Sequence, residues 1–280
     1  MKRIFIFTFL LLLAVRVVSA ATVDTLAVHS PSMDRDIPVV AIVPEGVSAA
    51  EPCPVVYLLH GFRGRYDTWI GKTQPGLPET ASRTGEVIVC PDGGYSSWYW
   101  DSPKNPAYRY ETFVSSELVN YIDRNYKTIA DRKGRAITGL SMGGHGAMWL
   151  GIRHKDVFGA AGSTSGGVDI RPFPKNWSMN KQLGELASNK RIWDEHTVVN
   201  QLDKIQNGDR VEIMTSQNSR GPSRDWLTLV KSPQAKNKIN QWFRSQFKEE
   251  NIVRGKELLA NYCKAQGVLL SDLLKTEYTD

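Results

Sequence analysis

The chain has 280 residues, 41% hydrophobic and 23% charged, the balance of an ordinary globular protein and not of a disordered or fibrous one. Its length admits one domain or two, and the net charge of +6 with a pI near 9.1 is only mildly basic. No dense Lys/Arg run or basic–aromatic pattern occupies the first two hundred residues, so no nucleic-acid partner is expected. In chain order, Met1-Lys2-Arg3, the uncharged apolar run from Ile4 to Val15 and the small residues Val18-Ser19-Ala20 predict a signal peptide over residues 1–20. Cleavage after Ala20 implies a secreted or periplasmic protein, with no membrane attachment after cleavage. Residues 23–28 and 37–43 are β-rich and separated by a polar stretch, the pattern of a hairpin. The continuous apolar runs at 54–59 and 86–90 read as strands buried on both faces of a parallel sheet. Residues 112–126 have helical spacing of Phe113, Leu118, Tyr121 and Ile122. A strand at 135–138, a helix at about 143–154 and a strand at 160–165 follow, and this alternation predicts an α/β fold with a mostly parallel sheet.

Cys53, Cys90 and Cys263 are an odd, widely spread set. They form no disulfide framework, and no CxxC or His-rich spacing points to a metal; neither a metal nor a cofactor is expected. Cys90, inside an apolar strand pattern, reads as a small core residue.

Parallel sheets place ligands at the carboxyl ends of their strands, where the sequence carries its strongest motif. Gly139-Leu140-Ser141-Met142-Gly143 has the nucleophile-elbow pattern G-x-S-x-G, after an apolar strand and at the start of a helix rich in small residues. The strand-to-helix turn strains the serine backbone and needs tiny neighbours at Gly139 and Gly143. Ser141 is therefore the candidate nucleophile. A developing oxyanion needs preorganised donors, and the strand ending at Leu59 runs into His60-Gly61-Phe62-Arg63-Gly64. The backbone N–H groups of Phe62 and Met142 are the two candidates, with His60 orienting the loop. Tyr95, Trp98, Tyr99 and Trp100 either line an acyl or sugar pocket or pack on one another as a loop.

Leu58-Leu59-His60-Gly61, Pro91-Asp92-Gly93-Gly94-Tyr95, the run from Ile137 to Gly146 and Ser165-Gly166-Gly167-Val168-Asp169 together resemble the esterase D-like esterases. That group takes in S-formylglutathione hydrolases, tributyrin-type esterases and the feruloyl and acetylxylan esterases of carbohydrate esterase family 1, and is related to the mycolyltransferases. The resemblance covers residues 23–207. It implies an α/β-hydrolase fold and hydrolysis of small-molecule or carbohydrate esters through an acyl-serine intermediate.

The same resemblance implies a triad acid after the next strand and a His near the end of the domain. The five histidines are His29, His60, His145, His154 and His196, and none lies in the last eighty residues. The triad His and acid are therefore unassigned, with Asp225 the nearest acid downstream of a possible strand at 211–214. Residues 207–278 resemble instead the end of the TGS domain and the following helical segment of the long (p)ppGpp synthetase/hydrolases, in runs such as Asn207-Gly208-Asp209-Arg210 and Glu249-Glu250-Asn251-Ile252. The expected organisation is a signal peptide at 1–20, an α/β-hydrolase domain at 21–206 lacking its last strands, and a mostly helical tail at 207–280. Its tail carries Trp226, Trp242 and Phe243 at spacing suited to burying one face. A cytosolic type of tail behind a signal peptide suggests a chimera, by recombination or sequence assembly. Three functions compete: a secreted serine esterase, a catalytically inactive hydrolase-fold domain that binds esters or glycans, and an interaction module acting through the tail.

Overall fold

The alternation of β-branched residues in TVDTLAVHS and RDIPVVAIV forms the hairpin expected near the N-terminus. Strand β1 (Thr22–Ser30) pairs antiparallel with β2 (Arg35–Val43), from Thr22 opposite Val43 to Ser30 opposite Arg35. The computed structural model describes residues 21–45, 51–205, 212–214, 227 and 233–267. The predicted signal peptide, Asp225 and Trp226 lie outside the described residues.

The two apolar runs become β3 (Val55–Leu59) and β4 (Val87–Pro91), with α1 (Leu77–Thr84) between them. A period of two divides each strand between two layers. Val55, Tyr57, Leu59, Val87 and Val89 face the larger core. Leu58, Ile88 and Cys90 face a smaller one with Val40, Ile42 and the Leu77 and Ala81 face of α1. Cys90 is thus a core residue, as expected, and burial pushes its thiol pKa up to about 12.

The next helical run begins two residues before the predicted start. It comprises α2 (Tyr110–Thr112), a π-helical turn at Phe113–Glu117 and α3 (Leu118–Asn125). Strand β5 (Arg135–Gly139) leads into α4 (Met142–Arg153), which is buried over almost its whole circumference, as its small and apolar composition allows. Strand β6 (Ala160–Thr164) and the short helices α5 (Met179–Leu183) and α6 (Lys190–Glu195) follow.

A last strand, β7 (Glu212–Met214), pairs parallel with β6, so the sheet extends past residue 206 and takes in part of the segment at 211–214. The sheet order is β1-β2-β4-β3-β5-β6-β7, parallel from β4 to β7 with the antiparallel hairpin at one edge. This is the α/β-hydrolase arrangement, and it brings the carboxyl ends of β3, β4, β5 and β6 to one edge.

The chain divides into two compact units, Met1–Ser216 and Gln217–Asp280. The second contains α7 (Pro233–Gln246) and α8 (Lys248–Ala265), in agreement with a helical tail. Within it Trp242 and Phe243 meet edge to face at 5.1 Å, and Phe243 stacks on Phe247 at 6.1 Å. No helix among the described residues is long and apolar enough to cross a membrane.

Candidate active site

Ser141 sits between β5 and α4 with φ 57° and ψ −114°, a backbone region that L-residues rarely occupy. Close packing holds it there. A Cβ on Gly143 would stand 2.2 Å from the Leu59 carbonyl oxygen, and one on Gly139 would stand 2.6 Å from the Gly143 backbone. The predicted need for glycine at both positions is met by direct steric contact. The Ser141 amide donates to the Thr164 carbonyl at 2.9 Å, so β6 supports the turn from the other side. The Ser141 side chain is exposed at the strand edge.

Met142 follows this serine directly, and Phe62 belongs to the loop after β3. Met142 is the first residue of α4, so its amide is among those a helix N-terminus leaves without an intrahelical partner, on the positive end of the helix dipole. The loop after β3 lies against the elbow: a Cβ on Gly61 would be 3.5 Å from Ser141 Cβ and 3.3 Å from the Leu140 carbonyl oxygen. Phe62, half-buried, packs its ring on Tyr95 at 5.0 Å. Arg63, at φ 64°, donates its amide to the Tyr95 carbonyl and Nε–H to the Tyr95 hydroxyl.

His60 organises that loop. Its Nδ1–H donates to the Gly61 carbonyl at 2.8 Å, and its Nε2 accepts the Gly93 amide at 2.7 Å. With both ring nitrogens engaged and the ring buried, burial lowers its pKa and keeps it neutral.

The aromatic residues after β4 divide. Trp98, Tyr99 and Trp100 are buried in the main core, and only Tyr95, 49% exposed, lies at the surface. Of the two readings of this cluster, packing holds for three of the four residues. Trp98 and Tyr99 adopt φ 55° and 60°, the backbone cost of turning consecutive large rings inward.

The remaining histidines are committed elsewhere. His29 pairs with Asp36 at the surface, and His154 Nε2 bonds Glu111 at 2.9 Å. His196 Nδ1–H donates to the Ile192 carbonyl, and His145 Nδ1–H to the Gly167 carbonyl. Burial lowers the pKa of both, that of His145 to about 4. Thus none of the chain's histidines stands as the partner of the Ser141 hydroxyl.

The sequence reading missed Glu111. This buried carboxylate accepts from Trp149 Nε1 at 2.8 Å, Arg153 Nε at 2.8 Å and His154 Nε2, bolting α2 to the far end of α4. Burial works to raise its pKa, but the bonds from His154, Arg153 and Trp149 outweigh it and hold the pKa below the ordinary carboxylate range. A cavity of about 960 Å3 opens beside this cluster, lined among others by Glu111, Arg153, His154, Asp194 and His196. It sits at the carboxyl end of α4, a helix length from Ser141, and much of its polar lining is bonded internally.

Comparison with known proteins places this geometry. The "Putative esterase" family model matches residues 30–252. The chain belongs to this esterase family. It is 37% identical to the MPT51/MPB51 antigen of Mycobacterium tuberculosis over 161 residues, 58% of this chain and 50% of the antigen. It is similar to the structure of a ferulic acid esterase, with TM-score 0.53 and 29% identity over 67% of this chain and 73% of that one. The S-formylglutathione hydrolase of Agrobacterium tumefaciens shares the fold, with TM-score 0.60 and 23% identity over 75% of this chain and 81% of that one. The chain spans about half the length of the curated relatives it matches. The family match crosses residue 207 without interruption and gives the chimera no support.

Proposed function

We propose that this protein is an exported serine hydrolase of carboxylic esters. The observation that carries the reading is Ser141 on a strained strand-to-helix turn, with the first amide of α4 and the loop after β3 beside it. Ser141 Oγ attacks the acyl carbon, its proton passes to a base, and the carbonyl oxygen becomes an oxyanion facing the Phe62 and Met142 amides. Collapse of that intermediate expels the alcohol and leaves an acyl-serine, which water hydrolyses to the free acid. The substrates are small-molecule or carbohydrate esters, a class supported by the similarity to a ferulic acid esterase. Export rests on the signal-peptide pattern of residues 1–20.

A second reading rests on the histidines. Each of the five bonds a partner other than Ser141. A triad without its base retains only about 10³–10⁴-fold acceleration over water, from the oxyanion donors and binding. On that reading the domain binds esters or glycans and turns them over slowly. The deciding experiment is hydrolysis of p-nitrophenyl acetate by the purified chain and by Ser141→Ala. Saturable turnover lost in the variant supports the first reading, and equal background rates support the second.

The tail at 207–280 as a segment of separate ancestry, or as an interaction module, is a further proposal resting only on its stringent-response-like motifs. An unbroken DNA read across codons 200–215 in independent isolates would sink assembly as its origin.

A further inference from the structure

We propose that His145 is a positioning residue, whose Nδ1–H bond to the Gly167 carbonyl holds the backbone of Ser141 in its strained, outward-facing conformation. The inference rests on Ser141 as the nucleophile and adds a residue that the reaction itself does not touch.

A residue at φ 57° and ψ −114° keeps that strained conformation only where its surroundings over-determine it. At the start of α4 two hydrogen bonds do this from one neighbouring segment. The Ser141 amide donates to the Thr164 carbonyl at 2.9 Å, and His145 Nδ1–H donates to the Gly167 carbonyl at 2.7 Å. Ser141 and His145 are one helical turn apart, and Thr164 and Gly167 bracket the turn that leaves β6. One bond alone would let that turn pivot about its acceptor. Two bonds separated by a helical turn fix its orientation, and with it the acceptor of the Ser141 amide.

The turn also carries strain of its own. Ser165 adopts φ 52°, and Gly166 lies so near α4 that a Cβ there would stand 2.7 Å from the His145 amide nitrogen. Only a glycine leaves room for this approach, and the His145 ring bonds the next residue, Gly167.

The ring is chosen for direction. Trp98 and Trp100 each meet it nearly perpendicular with centroids 5.1 Å away, and Trp149 stacks at 6.4 Å. These walls prevent rotation about χ2, so Nδ1 stays aimed at Gly167. The other nitrogen, Nε2, is fully buried with no hydrogen-bond partner among the described residues. A leucine would fill the same aromatic box without leaving a buried acceptor bare, an arrangement that costs stability. Retaining an imidazole under that penalty makes sense only if its single bond is the purpose.

The test uses the full chain as wild type, His145→Leu and His145→Asn, whose Nδ2 takes the place of Nδ1. The first readout is amide hydrogen exchange, which needs no catalysis. In the leucine variant, peptides covering 139–142 and 164–168 are expected to exchange about tenfold faster or more, while β3 and β4 peptides keep wild-type rates. The second is labelling of Ser141 by an alkyl fluorophosphonate. Its saturating rate should fall by about ten- to a hundredfold with half-saturation unchanged, and the asparagine variant should recover both properties to within about threefold. A third readout needs no variant: the nitrogen-15 spectrum of wild-type His145 should show Nδ1 protonated and Nε2 bare. Wild-type exchange at 139–142 in the leucine variant overturns the proposal, as does loss of protection throughout the sheet or the opposite tautomer. If the exchange pattern appears but wild-type Ser141 resists the probe, the positioning role stands and the nucleophile reading fails.

Discussion

Nε2 of His60 accepts the Gly93 amide at 2.7 Å, a buried bond that joins the Arg63–Tyr95 pair in tying the residues after β4 to the loop that carries Phe62. Replacing His60 by leucine leaves a buried N–H unpaired. The expected loss is about 1–3 kcal/mol, seen as a lower urea midpoint at unchanged m-value. Esterase turnover should fall with it, because the loop beside Ser141 loses its anchor. A leucine variant as stable and as active as the parent would remove His60 from this role.

The backbone at Ser141 separates strain from chemistry. Both Ser141→Ala and Ser141→Gly remove the hydroxyl and should abolish turnover. Glycine alone tolerates φ 57° at little steric cost, so it should melt higher than alanine, by roughly 1 kcal/mol at the transition. Calorimetry of the two variants side by side decides it; equal melting temperatures would mean that the elbow stores no strain.

Glu111 offers a sharper stability test. Glu111→Ala strands the Trp149 indole N–H and the Arg153 guanidinium in a part-buried setting, and a loss of about 2–4 kcal/mol is expected. Conversion to glutamine keeps one acceptor oxygen and should cost less. Urea titration of both variants gives the order, and the reverse order would contradict the bonding described for this carboxylate.

Acid should destabilise the protein in two stages. His60, His145 and His196 all have folded pKa values below 6.5, that of His145 about 4, so unfolding takes up protons as the pH falls. Their contribution is fully present above 6.5 and is lost as pH falls through the window from 6.5 to about 4. The expected slope there is at most about 1.4 kcal/mol per pH unit for each such histidine, reached where it is charged in the unfolded chain and neutral in the folded one. The charged groups around His145 are His196, which disfavours its protonation, and Glu111 and Arg153 beyond the Trp149 ring. Glu111 has a depressed pKa, so its contribution is lost at lower pH still. His145→Asn should flatten the first stage by one proton, measurable from urea midpoints between pH 7.5 and 4.5.

Much of this was readable from local pattern. The apolar runs at Val55–Leu59 and Val87–Pro91 announce strands because both of their faces are buried. The elbow is legible because its steric demands fall on neighbours within two residues of Ser141. What the sequence hides is paired over long range. Glu111 meets Arg153 and His154 across more than forty positions, and nothing near Glu111 marks it as an anchor. The aromatic residues after β4 have no periodicity that distinguishes a pocket from a core, and only the fold turns Trp98, Tyr99 and Trp100 inward. Strand β7, at Glu212–Met214 within the segment read as a possible strand, is three residues long; its parallel pairing with β6 is the part that local propensity does not record.

The antiparallel β1–β2 hairpin also bears on the order of folding. Its partners are joined by four residues, and its register runs the full length of both strands, so it closes in about 1–10 μs once both strands are free. The parallel pairs β3–β4 and β3–β5 must first close long crossovers, a slower search. The N-terminal edge is therefore available as a template while the rest of the sheet is still being sought, and β4 docks on it antiparallel through Ala41 and Ile42.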